Sequence, residues 1–245
     1  MKKILLLLLA VFLLGIGYGA YEQKNAGKAE QQKQNSQVTM KVAKAKSKVM
    51  ISGVPLIMQK PELDRGCEVT SLAMILKYAG VEVDKMELAE KVKKVTTPYK
   101  NENGKYYYGN PNDGFVGDIY TFEKMGYGVY HGPIADLAEE YIPGKTLDLS
   151  GKSFKDAIIK PLSKGMPVWI IINAKYKKLP ESEFRTWNTP SGKVKITWNE
   201  HSVVVTGFDE KYVYFNDPLG VATKAERTGF EAAWVQMGSQ AITYE

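Results

Sequence analysis

The chain has one cysteine, Cys67, and two histidines, His131 and His201, among 245 residues. A single thiol forms no intrachain disulfide. Two distant histidines and one cysteine make no three-ligand zinc site without carboxylates, and neither H-E-x-x-H nor C-x-x-C occurs. There is no Walker loop, and no G-x-G-x-x-G opens a helix. Neither a metal nor a cofactor is expected. No internal repeat is visible, and beyond residue 20 no apolar run is long enough to cross a bilayer. Positive charge is also scarce where a nucleic acid would need it. The formal charge is +6, but the first 50 residues, with nine lysines and two glutamates, carry +7, and residues 51–245, with 24 basic and 25 acidic side chains, carry −1. A nucleic-acid partner, which calls for a basic face on the folded domain, is therefore not expected.

What is present divides the chain in three. Lys2 and Lys3 precede an apolar run from Ile4 to Leu14, and no charge follows until Glu22. This is the layout of an export signal, so residues 1–20 are expected to be a signal peptide or an N-terminal membrane anchor, with the rest extracellular or anchored facing outside. No cysteine follows the run to take a lipid. Residues 21–50, rich in Lys, Gln, Ala and Ser, bury too little apolar surface to offset the entropy of ordering. They read as a solvated spacer able to contact an anionic wall or membrane surface. Residues 51–245 then form one domain, 44% of the whole chain being apolar and 24% charged, as in ordinary folded proteins.

Within that domain, Val69, Leu72, Ala73, Leu76 and Ala79 fall on one face of a helix over Glu68–Ala79. Asp84 is placed to cap a second helix, and helical spacing also fits Phe115–Met125, Pro133–Tyr141, Ser153–Leu162 and Phe230–Met237. The period then changes. Val168–Ile172, Val194–Trp198, Ser202–Val205 and Tyr212–Phe215 read as strands, the last two joined by a tight turn at Asp209-Glu210. Helices first and a meandering sheet afterwards predict an α+β fold. Asn101–Gly117, filled with Gly, Asn and Tyr, fits neither period; it reads either as a loop over a cleft or as a surface loop pinned by buried tyrosines. Trp187, Trp198 and Trp234 are expected in the core or in a cleft wall.

The chemistry concentrates on Cys67. It opens the first helix behind Asp64-Arg65-Gly66, where unpaired N–H groups and the helix dipole favour a thiolate. Glu68 pushes the other way. A thiolate nucleophile needs a base and a group to orient that base. His201 stands at the end of the most apolar strand, whereas His131, in a turn-rich connection, is expected at the surface or behind the site. The hairpin pairing of Ser202–Val205 with Tyr212–Phe215 brings Asp217 beside His201, the place of an orienter. Gln59, eight residues before Cys67, offers an amide that, with the Cys67 N–H, would hold an oxyanion.

Gln59, Gly66-Cys67-Glu68-Val69-Thr70-Ser71-Leu72-Ala73-Met74, Asn199-Glu200-His201-Ser202-Val203-Val204-Val205-Thr206-Gly207 and Asn216-Asp217-Pro218-Leu219 together resemble the bacteriocin-processing, double-glycine peptidase-like branch of the papain-type cysteine peptidases. The likeness is closest to free-standing exported members of Gram-positive bacteria and covers nearly all of residues 51–245. It implies a papain-like fold with a helical N-terminal half packed on an antiparallel sheet. By position it implies Cys67 as nucleophile, His201 as general base, Asp217 as orienter and Gln59 as oxyanion donor. Leader-cleaving exporter domains usually carry Asp-Cys-Gly where this chain has Gly66-Cys67-Glu68, which turns the expectation away from double-glycine leaders. Three functions remain: a thiol hydrolase of peptide or isopeptide bonds, cell-wall peptides among them; a catalytically silent peptide-binding module; or an acyl transferase, such as a transpeptidase, using the same residues.

Overall fold

A computed structural model describes residues 47–245. The expected export segment and most of the spacer lie outside the described residues. Strand β1, Val49–Met50, runs antiparallel against Phe208 and Gly207, so ordered backbone pairing begins just ahead of Ile51. Helix α1 spans Cys67–Tyr78 and α2 spans Lys85–Lys91, with the Asp84 side chain accepting from the Met86 N–H as its cap. In α1, Val69, Leu72, Ala73 and Leu76 are fully buried, as their helical spacing requires.

The expected helix over Phe115–Met125 does not form. Lys94–Val95 (β2) lies parallel to Phe115–Val116 (β5), and the chain then doubles back through a Gly117–Gly126 bridge. Before it, Lys100–Glu102 (β3) and Lys105–Tyr107 (β4) make a hairpin. Apolar residues at 115, 116 and 119 imitate a helical stripe, but Gly117 sits at φ +80° and a Cβ there would lie 2.5 Å from Gly126 Cα. The Asp118 carboxylate then accepts from the N–H groups of Tyr120 and Thr121 and fixes a turn.

Helix α3 is His131–Tyr141, followed by β6 at Thr146–Asp148. The predicted Ser153–Leu162 helix is a π-helical turn, Lys155–Ile159, continued by α4 at Lys160–Ser163. The main sheet then follows with β7 (Val168–Asn173). Phe184–Thr189 (β8) and Gly192–Thr197 (β9) belong to a second sheet. Glu200–Phe208 (β10), Tyr212–Asn216 (β11) and Lys224–Glu226 (β12) return to the first. Helix α5, Arg227–Gln236, precedes β13, Ala241–Tyr244.

The seven-stranded sheet is ordered β12-β11-β10-β7-β13-β6, with β1 added to β10, and every pairing in it is antiparallel. A four-stranded sheet runs β3-β4-β8-β9, and β2 with β5 makes a third, two-stranded one. The fold is therefore mixed helix and sheet. Strand β7 is buried along its whole length and β10 nearly so, which explains their continuous apolar runs. Helix α1 packs across β10 and β7. One hydrogen bond pins its start: the buried Trp169 indole N–H donates to the Glu68 carbonyl at 2.9 Å. Among the described residues no helix is long and apolar enough to cross a membrane.

Candidate active site

Gly66 caps α1 without a side-chain bond, and any Cβ there would fall 2.5 Å from Leu63 Cβ. A glycine thus lets the fully buried Leu63 fold beneath the turn that presents Cys67. The turn is also stitched to the 118–122 loop: Arg65 N–H donates to the Ile119 carbonyl at 3.0 Å, and the Arg65 guanidinium caps the carbonyls of Asp118 and Thr121. Cys67 is 7% exposed. It lines a cleft of about 530 Å³ together with Gln59, Glu200, His201, Tyr127, Trp198 and Leu219.

His201 is carried near the start of β10, opposite Ile172 of β7. Because β11 returns antiparallel beside β10, with Asn216 opposite Val204, the residue after β11 reaches back toward the start of β10. His201 Nε2 and Asp217 Oδ1 are 2.8 Å apart, both side chains almost wholly buried. Oδ1 also accepts from Leu219 N–H, while Oδ2 accepts from the Tyr176 hydroxyl and the N–H groups of Val221 and Ala222. Burial pushes the Asp217 carboxyl up, but the His201 bond and charge, the Leu219 N–H and the Tyr176 hydroxyl outweigh it and hold the group at about 2. With Nε2 engaged by Asp217, Nδ1 is the imidazole nitrogen left for the cleft.

Gln59 is 2% exposed, and its backbone N–H donates to the Pro218 carbonyl beside Asp217. Its Nε2 donates to the carbonyls of Leu63 and Asp64 at 3.2 and 3.0 Å, while its Oε1 is buried with no partner. The amide protons thus brace the turn before Cys67, and an oxyanion would have to take one of them over. The Cys67 N–H, in the first turn of α1, has no acceptor among the described residues.

The thiol itself faces a carboxylate. Cys67 Sγ donates to Glu68 Oε2 at 3.2 Å, and among the described residues no hydrogen bond joins it to His201. Glu68 is fully buried, its Oε1 accepting from Val129 N–H at 2.7 Å. An oxygen of Glu200 completes the group, the three atoms lying within 4.8 Å of one another. Burial, then the charges of Glu68 and Glu200, push the Cys67 thiol well up, with only the Ser202 N–H acting the other way. Burial and, after it, the carboxylates outweigh the helix terminus and favour the protonated thiol. Burial pushes Glu68 up to about 7, and burial together with the Glu68 charge pushes Glu200 well up. Two carboxyls this close in a desolvated site do not both ionise. With no histidine in the cluster and one of its bonds already made internally, it is a poor seat for a cation and a good store for a proton.

Three residues of this site are given no role in the sequence reading: Tyr127, Tyr176 and Glu200, the last quoted there only as part of the stretch around His201. Strand alternation sets Glu200 and His201 on opposite faces, and both still reach the cleft because β10 begins there. Tyr127 and Trp198 form one wall, their rings 5.8 Å apart and each set edge-on to the buried Trp187. Trp234 is in the core. His131 lies elsewhere: it pairs with Asp148 at 2.6 Å and lines a separate cavity with Lys195 and Gln240. From the Asn101–Gly117 segment, Tyr108 is buried and anchored by its hydroxyl on the Met125 carbonyl, and none of the segment lines the cleft.

Residues 51–242 match the family model described as the peptidase C39-like family. The chain is 50% identical over 189 residues to the uncharacterised protein YvpB of Bacillus subtilis (strain 168), covering 77% of this chain and 72% of that one. A solved structure from Bacillus anthracis, provisionally assigned as a C39-like peptidase, is 55% identical, covers 81% of this chain and 97% of its own, and superposes with a TM-score of 0.75.

Proposed function

The chain belongs to the peptidase C39-like family, and on that premise we propose that it is a thiol hydrolase of papain-like arrangement, opening peptide or isopeptide bonds with Cys67, His201 and Asp217. The observation that carries this reading is the buried 2.8 Å contact of His201 Nε2 with Asp217, which leaves Nδ1 to the cleft that Cys67 also lines. In the reaction the thiol proton passes to Nδ1, and the sulfur adds to the scissile carbonyl. The Cys67 N–H, with a Gln59 amide proton released from its loop carbonyl, receives the oxyanion. The imidazolium protonates the leaving amine, and water then opens the thioester. Asp217, ionised at any working pH, keeps the ring oriented and stabilises its charge. An export signal at residues 1–20 would put this chemistry outside the membrane, where cell-wall peptides are the nearest substrates.

The bond from the thiol to Glu68 favours a second reading, a silent module that retains the cleft to bind peptides. Assay against a peptide and muropeptide library separates the two. Turnover by the wild type that vanishes in Cys67→Ala, with the melting temperature little changed, supports the hydrolase. Binding of library members without turnover by either protein supports the module.

A further inference from the structure

We propose that Glu68 is a positioning residue for the nucleophile: its buried carboxylate holds Cys67 as a thiol turned from His201, and the sulfur becomes reactive when that carboxylate is neutralised. The inference rests on the peptidase reading of Cys67 and His201.

The contact is fixed from three sides. Glu68 Oε2 accepts the S–H at 3.2 Å, Oε1 is held by Val129 N–H at 2.7 Å, and the Glu68 carbonyl is held by the Trp169 indole at 2.9 Å. Neither the side chain nor its backbone is free to swing aside. Gly128 makes the room, since a Cβ on it would stand 2.2 Å from Glu68 Oε1 and 3.0 Å from Glu200 Oε2. Glu200 closes the chamber, its own Oε1 buried without a partner.

The groups facing the cluster from each neighbouring element are few. The 126–130 stretch contributes the Tyr127 and Tyr130 hydroxyls, bonded to each other at 3.0 Å and kept protonated chiefly by burial. Strand β10 contributes His201 and the Ser202 N–H, and β7 the Trp169 indole. Among the described residues no lysine or arginine bonds Cys67, Glu68 or Glu200. Among the described residues, then, no lysine or arginine offsets the Glu68 charge, and His201 is the one group here that can become cationic.

The sign follows from the direction of one hydrogen bond. With Glu68 ionised the bond runs from S–H to carboxylate; loss of the thiol proton to His201 would leave two anions in contact. With one proton taken from solvent, Glu68 becomes a donor, and its O–H stabilises the thiolate formed when S–H breaks and the Nδ1–H bond forms. Glu68 therefore opposes activation above about pH 7 and assists it below.

The test is the pH dependence of iodoacetamide alkylation of the folded full chain. Glu68→Gln keeps the shape and the Val129 contact but supplies a donor to sulfur, so its half-maximal pH should fall by at least about one unit. That is roughly tenfold more thiolate at a given pH, and the ratio to wild type should shrink below about pH 7. In this variant Glu200 loses its like-charged neighbour and can ionise, so Glu68→Gln/Glu200→Gln should shift the profile at least as far. Glu68→Asp, withdrawn from the sulfur by one methylene, should shift it the same way by less and carries the comparison if the Gln variants do not fold. An upward shift, or no shift in any variant that folds, overturns the proposal. His201→Ala in the same assay keeps the two readings apart: a profile unmoved by it removes the Cys67–His201 pairing while the Glu68 comparison still stands on its own result.

Discussion

The Tyr176 hydroxyl donates to Asp217 Oδ2 at 2.8 Å, on the carboxylate oxygen opposite the one that faces His201. Tyr176 sits just past β7 at φ +52°, a conformation that costs a non-glycine residue about 1 kcal/mol or more. Its ring lies 4.8 Å from Phe215 and 6.3 Å from His201. The strained turn thus delivers one ring to two tasks, packing beside the imidazole and locking the acid that orients it. Tyr176→Phe keeps the packing and removes the lock. If about 1 kcal/mol of orientation is lost, kcat should fall roughly fivefold with KM unchanged. A change confined to KM would place Tyr176 on the substrate instead.

If Asp217 orients His201 as proposed, a neutral mimic should be tolerated better than a deletion. Asp217→Asn can still accept from the imidazole, so part of the activity should survive. Asp217→Ala leaves His201 Nε2 and the N–H groups of Leu219, Val221 and Ala222 without their acceptor. A loss of about 10²-fold or more is expected, because base and orienter act as a unit. Equal rates for the wild type and the Ala variant would take Asp217 out of the mechanism.

The two kinds of buried carboxyl shape stability against pH in opposite senses. Asp217 is depressed to about 2 from an ordinary 3.8. Its contribution, about 2 kcal/mol, is present above the ordinary value and is lost as pH falls toward 2. Glu68 is raised to about 7 from 4.5, so the folded state binds more protons between these values and stability declines as pH rises through that window. Thermal melts should therefore show an acid-side drop that Asp217→Asn flattens. They should also show a decline from about pH 5 to pH 7 that Glu68→Gln flattens. A wild-type melting temperature that climbs steadily from pH 5 to pH 7 would contradict the Glu68 assignment.

Gly128→Ala tests the chamber from its backbone wall. A methyl 2.2 Å from Glu68 Oε1 cannot be accommodated without moving the carboxylate or the 126–130 stretch. Destabilisation of about 1–3 kcal/mol, the usual range for overpacking, is expected. An unfolding midpoint equal to wild type would mean that the chamber yields more readily than its buried walls suggest.

Much of the site is legible in the sequence, for local reasons. Helix α1 is marked by apolar residues at helical spacing, and a short hairpin turn suffices to bring Asp217 to His201. The need for glycine at position 66 is not legible, because it comes from the Leu63 side chain packed beneath the turn. The Phe115–Met125 segment misleads because three apolar residues share a helical period while the glycines at 114, 117, 126 and 128 decide the backbone. Strand β8 is missed because Phe184 and Trp187, its inward aromatics, break simple alternation and draw their pairing from β9 and the distant β4. The Glu68–Glu200 pair is the least legible. Acidic side chains are expected in water, and only the packing of α1 across β10 brings these two together in the interior.

The edge-to-face run of rings from Tyr108 through Trp187 and Tyr127 to Trp198 gives the cleft an optical reporter of its own. Of the four tryptophans, Trp169, Trp187 and Trp234 are fully buried, whereas Trp198 is 45% exposed on the cleft wall. Emission at the red edge of the intrinsic fluorescence should come from Trp198 alone. A peptide that enters the cleft displaces water from that indole, shifting the emission to the blue, so occupancy is measurable in Cys67→Ala without label or turnover. Trp198→Phe should abolish the shift, and an acrylamide quencher should separate this fluorophore from the other three.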